Sequence, residues 1–355
     1  MDSLIYFILT LSIFWFVLNL IYSSKKDFFE NKGLKLYYGF ILVWKKHANI
    51  KSVGAFRKLS YASIPLSLYG LYVFYTTMIL STLSRFQIVE VTARPRLLIP
   101  GVNITGLSLL YFSLAVVIAA AFHELSHAYV ARSHGIRVKS LGFAIIFFLP
   151  IAFTEIDDEA YRQASMKQKV LTLMAGPAAN ILLALVFLGL LFFAINPSAL
   201  TIVGVMEDSL AEEYGLHENT IILEINGKPA SLDELHAILL ANKTMAIRLK
   251  ILDENMVLRD ITIIKPGNVT KLGVYLVPYA PNTALIKILG VDKAFMLISQ
   301  FNWIYIVNFS LGIINIAPLF ITDGGKMVYE LLGKKRISLL VNGFTLIILI
   351  LALAP

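Results

Sequence analysis

The chain has 355 residues, 57% of them hydrophobic and 15% charged, with no cysteine and a net charge of +8; its mean hydropathy is +0.74. Soluble domains carry about 25% charged residues, so this composition excludes an ordinary soluble enzyme and a disordered chain. The missing cysteines exclude disulfides, thiolate metal sites and a cysteine nucleophile.

A bilayer core needs about 20 apolar residues in helical form. Residues 3–22 supply the first uncharged run. No basic stretch precedes it and no small-residue cleavage site follows, so it reads as an anchor. Residues 61–82 form a second run. Residues 107–130 form a third, interrupted near its end by His123, Glu124 and His127. Residues 141–153 are apolar but too short to span, and Pro150 interrupts them; they read as a re-entrant or interfacial hairpin. Residues 170–195, 295–320 and 337–354 complete six spans.

Lysine and arginine set the orientation. Residues 23–60 hold nine of them, residues 83–106 three, and residues 131–169 six; Lys334, Lys335 and Arg336 precede the last span. Placing 23–60, 131–169 and 321–336 in the cytoplasm satisfies the positive-inside rule throughout. Both ends and residues 196–283 then lie outside. The net positive charge is thus assigned to membrane sides, and no nucleic-acid partner is expected.

Residues 198–280 hold 11 acidic and 7 basic residues with short alternating apolar runs. That is enough chain for a small domain. Residues 203–206 and 220–225 read as strands, the second turning at Asn226-Gly227. Residues 209–214 read as a short helix. Ser231 can cap a helix through Leu240, with Glu234 three residues on as a capping box. The segment YGLHENTIILEINGKPASLDELHAIL resembles a PDZ domain. The resemblance puts a carboxylate-binding loop near residues 201–204 and implies peptide binding by strand addition. A spacer or steric plug is the alternative.

The sharpest signal is His123-Glu124-Leu125-Ser126-His127. On a helix, positions four apart share a face, so both imidazoles can reach one ion. Zinc suits imidazole nitrogen, and a catalytic site needs a third protein ligand. Glu124, beside the pair, can take the proton of a water the metal acidifies. Ionisable groups inside an apolar segment are costly and usually functional. The third ligand must come from elsewhere. Asp323, in Ile-Thr-Asp-Gly-Gly after the fifth span, is the candidate, and the glycines permit close backbone approach. Span three carries His123 about 16 residues, roughly 24 Å, along its path, toward the cytoplasmic third. Span five also ends inside, so both elements reach one depth.

Three motifs together resemble the site-2 protease family of intramembrane zinc metalloproteases. They are His123 to His127; Asn315-Ile316-Ala317-Pro318 followed by Asp323-Gly324; and Gly176-Pro177-Ala178-Ala179-Asn180 on span four. The resemblance covers about residues 107–335. Thr322 departs from it, since the family usually has leucine there. The resemblance implies that His123, His127 and Asp323 bind one zinc ion and that Glu124 is the general base. It implies that Asn315 holds unwound substrate backbone or stabilises the developing oxyanion. Asn180 is a weaker candidate, equally readable as a helix–helix hydrogen bond.

The expected fold is a polytopic α-helical membrane protein of about six spans with a small extracytoplasmic α+β PDZ-like domain. Its parts are residues 1–106, a two-helix region with a basic cytoplasmic loop; 107–196, the catalytic core; 197–283, the PDZ-like domain; and 284–355, the region carrying the Asp-Gly motif. The expected function is hydrolysis of peptide bonds within the transmembrane segments of single-span membrane proteins. The active site is expected near the cytoplasmic side of a lipid bilayer. The alternative is a non-proteolytic membrane scaffold or sensor working through the PDZ-like domain. An intact Glu124 argues against it. Processing enzymes that use a downstream glutamate ligand would need Glu330, which lacks a matching motif.

Overall fold

The computed structural model describes residues 2–91, 94–253 and 256–354. In chain order the elements are α1 (Asp2–Ser24), α2 (Lys26–Asn31), β1 (Leu34–Tyr37), β2 (Ile41–His47), α3 (Gly54–Leu59) and α4 (Ser63–Arg85), then α5 (Gly106–Ser133), β3 (Val138–Ile146), β4 (Leu149–Ile156), α6 (Asp158–Gln163) and α7 (Met166–Ala194). There follow β5 (Ile195–Asn196), β6 (Leu200–Val205), α8 (Leu210–Glu213), β7 (Ile221–Ile225), β8 (Lys228–Pro229), α9 (Leu232–Leu240), β9 (Met245–Leu252), β10 (Leu258–Lys265), β11 (Val274–Val277) and β12 (Ala280–Pro281). The chain closes with α10 (Thr283–Leu289), α11 (Val291–Ile316), α12 (Asp323–Leu332) and α13 (Lys335–Leu353).

Among the described residues, six helical stretches are long and apolar enough to cross a membrane: Ile5–Ser24, Gly54–Arg85, Gly106–Ser133, Met166–Ala194, Val291–Ile316 and Lys335–Leu353. All six expected spans are there. The fifth ends at Ile316 rather than Phe320. Pro318 lacks the amide that would continue the helix and disfavours helical geometry in the residue before it.

The chain folds as two units, Met1–Phe187 with Trp303–Pro355, and Leu188–Asn302. In the first unit, β1 to β4 form one antiparallel sheet in the order β1-β2-β3-β4. Residues 23–60, expected only as a basic loop, therefore contribute half of a sheet, and strands from both sides of residue 106 join in it. Residues 141–153 form its second hairpin, turning at Phe147, whose φ is 55°. The tip packs alongside α1 rather than beyond its end. Trp15 Nε1 donates to the carbonyl of Phe147 at 2.8 Å, and the rings of Phe7 and Phe148 lie 5.6 Å apart. Asn19 ties the other turn by donating to Gly39 O at 2.7 Å. Strand pairing satisfies the backbone groups of this hairpin beside the apolar α1, the condition a re-entrant segment would have to meet.

The second unit is a small α+β domain. Its main sheet runs β10-β9-β7-β6-β11, with β8 paired to β7. Ile202, Ile222, Ile225, Leu235, Leu249 and Ile263 belong to its core. Each buried aliphatic side chain contributes roughly 1.5–3 kcal/mol. Asn226 and Gly227 take positive φ of 52° and 79°, the primed turn their dipeptide favours. Ser231 Oγ accepts from Glu234 N at 3.2 Å, so the serine half of the capping box is formed. Glu234's own carboxylate faces Lys228 at 3.8 Å. Residues 201–204 are not the loop the PDZ resemblance implied. They lie within β6, paired with β11 on one side, and Thr201 pairs with β7 on the other.

Candidate metal centre

The helical spacing of His123 and His127 puts their rings on one face of α5, edge to face with centroids 4.7 Å apart. Asp323 is the first residue of α12. The two Nε2 atoms are 3.1 Å apart, and each is 3.1 Å from Asp323 Oδ2. Residues 196 and 200 positions apart thus present three donor atoms as a near-equilateral triangle. All three residues are buried: His123 and His127 are each 7% exposed and Asp323 8%. Lys326 reaches the other carboxylate oxygen, Oδ1, at 3.5 Å, leaving Oδ2 to the imidazoles. Burial alone would raise the Asp323 carboxyl. The facing imidazoles of His127 and His123 outweigh it and hold the group below the usual carboxylate range.

The chemistry of the triangle is that of a cation site. His127 Nδ1 lies 2.6 Å from the carbonyl of Thr172; a carbonyl only accepts, so Nδ1 carries the proton. Nε2 is thus the His127 nitrogen left to an ion, and it faces a carboxylate oxygen and a second imidazole nitrogen. Such a bond to the far nitrogen is how proteins fix the tautomer of a ligating histidine. A tetrahedral ion with ligands at about 2.0 Å needs ligand–ligand edges of about 3.3 Å. The observed edges match that size, and the donor set suits zinc.

Span four completes the cradle. A Cβ on Gly176 would lie 2.4 Å from His127 Nε2 and 2.7 Å from His123 Nε2. Only a glycine lets α7 come this close. Pro177 inside α7 removes the amide that would bond the carbonyl of Leu173, the residue after Thr172, whose carbonyl faces His127. The sequence reading named Gly176 only within its motif, with no role, and did not single out Thr172. The Gly-Pro pair was their signal, since a proline within a span marks a turn able to accept side-chain partners.

Glu124 is close enough to His127 for their charges to interact. Its carbonyl accepts a 2.8 Å bond from Thr154 Oγ1 on β4, so the sheet braces the turn that carries it. Glu124 also lines a cavity of about 420 Å³ with Trp44, Leu141, Phe143 and Phe153. A second cavity of about 660 Å³ is bounded by Thr154 and Ile156 of β4 and by Leu173, Gly325 and Lys326. Asn315 lies in the last turn of α11, half-buried, and is not among the clustered donors. Asn180 is fully buried, but neither of its amide atoms has a hydrogen-bond partner; the expected helix–helix bond is not made. Glu330 pairs with Lys169 at 3.2 Å and stands apart from the cluster.

Six helices apolar and long enough to span, together with a buried two-histidine, one-carboxylate cluster, define a polytopic membrane protein with a candidate metal centre. The model of peptidase family M50 matches residues 111–353, and the chain belongs to that family, the site-2 proteases. It is 35% identical over 217 residues to "Uncharacterized protein MJ0971" of Methanocaldococcus jannaschii, an alignment covering 59% of this chain and 54% of that protein. It is 30% identical over 162 residues to "Putative zinc metalloprotease Cj1068" of Campylobacter jejuni, covering 37% of this chain and 44% of that protein. The chain thus spans about half the length of the curated relatives it matches.

Proposed function

We propose that the protein is an intramembrane zinc metalloprotease that hydrolyses peptide bonds in the transmembrane segments of single-span membrane proteins. The observation that carries the reading is the 3.1 Å triangle of His123 Nε2, His127 Nε2 and Asp323 Oδ2 beside Glu124. These residues would hold the zinc ion. When bound, zinc supplies Lewis-acid polarisation of the scissile carbonyl and acidifies water. Glu124 takes the proton of the attacking water and delivers it to the leaving amine. Asn315 donates its side-chain amide to unwound substrate backbone or to the developing oxyanion.

A helical substrate must unwind locally, because its amides are hydrogen-bonded and shielded. The freed groups need partners at bilayer depth. β4 ends the sheet order, so its outer edge offers unpaired backbone groups to an extended segment. Thr154 and Ile156 of that strand border the larger cavity.

Zinc content tests the ligand set. The purified wild-type protein should carry close to one zinc ion per chain, and Asp323→Ala should lose most of it. Equal zinc in the two proteins would remove Asp323 from the site.

Sidedness is tested separately. We assign the multi-pass chain an active site near the cytoplasmic face and an extracytoplasmic α+β domain. The chain has no cysteine, so single cysteines can be introduced directly. A cysteine replacing Ser52 should label from the cytoplasm alone, and one replacing Ser231 from outside alone. Both positions are exposed. The warrant is the excess of lysine and arginine in residues 23–60 over residues 83–106. Reversed labelling would overturn the orientation.

A further inference from the structure

Asp323 is separated by six residues from the end of α11, so the chain must reverse sharply and still deliver one carboxylate oxygen to the two imidazoles. One hydroxyl organises that reversal. Thr322 is 5% exposed and is the N-cap of α12. Its Oγ1 accepts from Gly325 N at 3.2 Å and from Leu319 N at 3.2 Å. It lies 2.6 Å from the carbonyl of Ala317 and 3.0 Å from that of Leu319, the two acceptors between which its one proton is placed. A hydroxyl has one donor and two acceptor sites, and all three are engaged. The strand of chain entering the turn and the helix leaving it are thus tied to the same atom, on the residue next to Asp323.

The turn has no slack around this atom. A Cβ on Gly324 would lie 1.9 Å from Ile316 O, and one on Gly325 1.8 Å from Leu319 O. The backbone of α12 therefore rests directly on the carbonyls that end α11. Metal sites tolerate about 0.5 Å of error in their ligands, and the Thr322 hydroxyl adds side-chain bonds to the backbone contacts that hold the residue next to Asp323.

We propose that Thr322 is a positioning residue for the metal ligand Asp323, acting through its hydroxyl. The inference rests on the metalloprotease reading, because it takes Asp323 as a ligand.

Zinc dissociation constants, measured by chelator competition on the full-length protein in detergent, test the proposal. Thr322→Val keeps the shape and removes the hydroxyl; it should weaken zinc about 10- to 100-fold, the range for lost ligand support. Thr322→Ser keeps the hydroxyl and should stay within about threefold of wild type on the same scale. Ser231→Ala removes an N-cap of the same type from α9 and should leave zinc affinity unchanged, which separates ligand positioning from general loss of a cap. Thr322→Ala replaces the valine variant if that one does not fold. Wild-type affinity in the variant lacking the hydroxyl overturns the proposal, as does a serine variant as weak as the valine one. A wild-type protein that binds no zinc overturns the metalloprotease reading instead.

Discussion

Glu124→Gln should retain its zinc and lose proteolysis by about two to four orders of magnitude, the usual contribution of a positioned general base. The two halves of this expectation come from different observations. Zinc retention follows from the donor triangle, which is closed by His123, His127 and Asp323 without Glu124. Loss of activity follows from the place of Glu124 beside His127. Glutamine keeps the shape but cannot accept a proton at neutral pH, so water activation fails while the fold stands. The carbonyl of residue 124, which receives Thr154, is backbone and survives the substitution. The measurement is cleavage of a single-span substrate in reconstituted vesicles, alongside zinc content. Near-wild-type cleavage would sink the protease mechanism, and loss of zinc would make Glu124 part of the metal site.

Gly176→Ala should be nearly as severe, although it adds one methyl group. That methyl would sit 2.4 Å and 2.7 Å from the Nε2 atoms of His127 and His123, too close for any carbon. Either α7 retreats, which breaks the bond from His127 to the carbonyl of Thr172, or the imidazoles turn away from Asp323. Both routes damage the site. We expect zinc affinity to fall about 100-fold, the upper range for lost support of a ligand, with about 1–3 kcal/mol of overpacking cost. Gly189→Ala is the control on the same helix, because its Cβ would meet nothing within 4 Å. Chelator competition and thermal unfolding of both variants decide the matter. Unchanged zinc binding in Gly176→Ala would show that the approach of α7 to the imidazoles is not as close as described.

Much of this was legible in local pattern. Uncharged runs of about 20 residues can do little but span, so the six spans follow from composition over short windows. The His-Glu-x-x-His spacing fixes a shared helix face whatever surrounds it. Ser231 and Asn226-Gly227 carry cap and turn preferences within a few residues of themselves. Less visible were the partners of each piece. Residues 34–47 read as a basic loop because their pairing partner, β3, lies about a hundred residues further along. The PDZ-like register was misplaced for the same reason: β6 is an inner strand because β11 pairs with it from 70 residues away.

The sequence by itself determined which segments are apolar and long enough to span and which residue types can bind a metal; that the fifth span stops short of Pro318 was legible there but was read only from the structure. Those are properties of neighbouring residues, set by solvation, helical period and the missing amide of proline. Only the tertiary structure gave the 3.1 Å distances by which Asp323, already the candidate, closes the triangle, and the ion pair with Lys169 that takes Glu330. It also decided that Gly176 must be a glycine, that Thr172 offers a carbonyl to His127, and that the Thr322 hydroxyl ties the turn. Each of these depends on atoms brought within about 3 Å from distant parts of the chain, where van der Waals contact and hydrogen-bond geometry admit errors of only a few tenths of an ångström. Helical period and side-chain chemistry restrict which residues can meet at that distance, and the packing of α5 against α7 and α12 selects the ones that do.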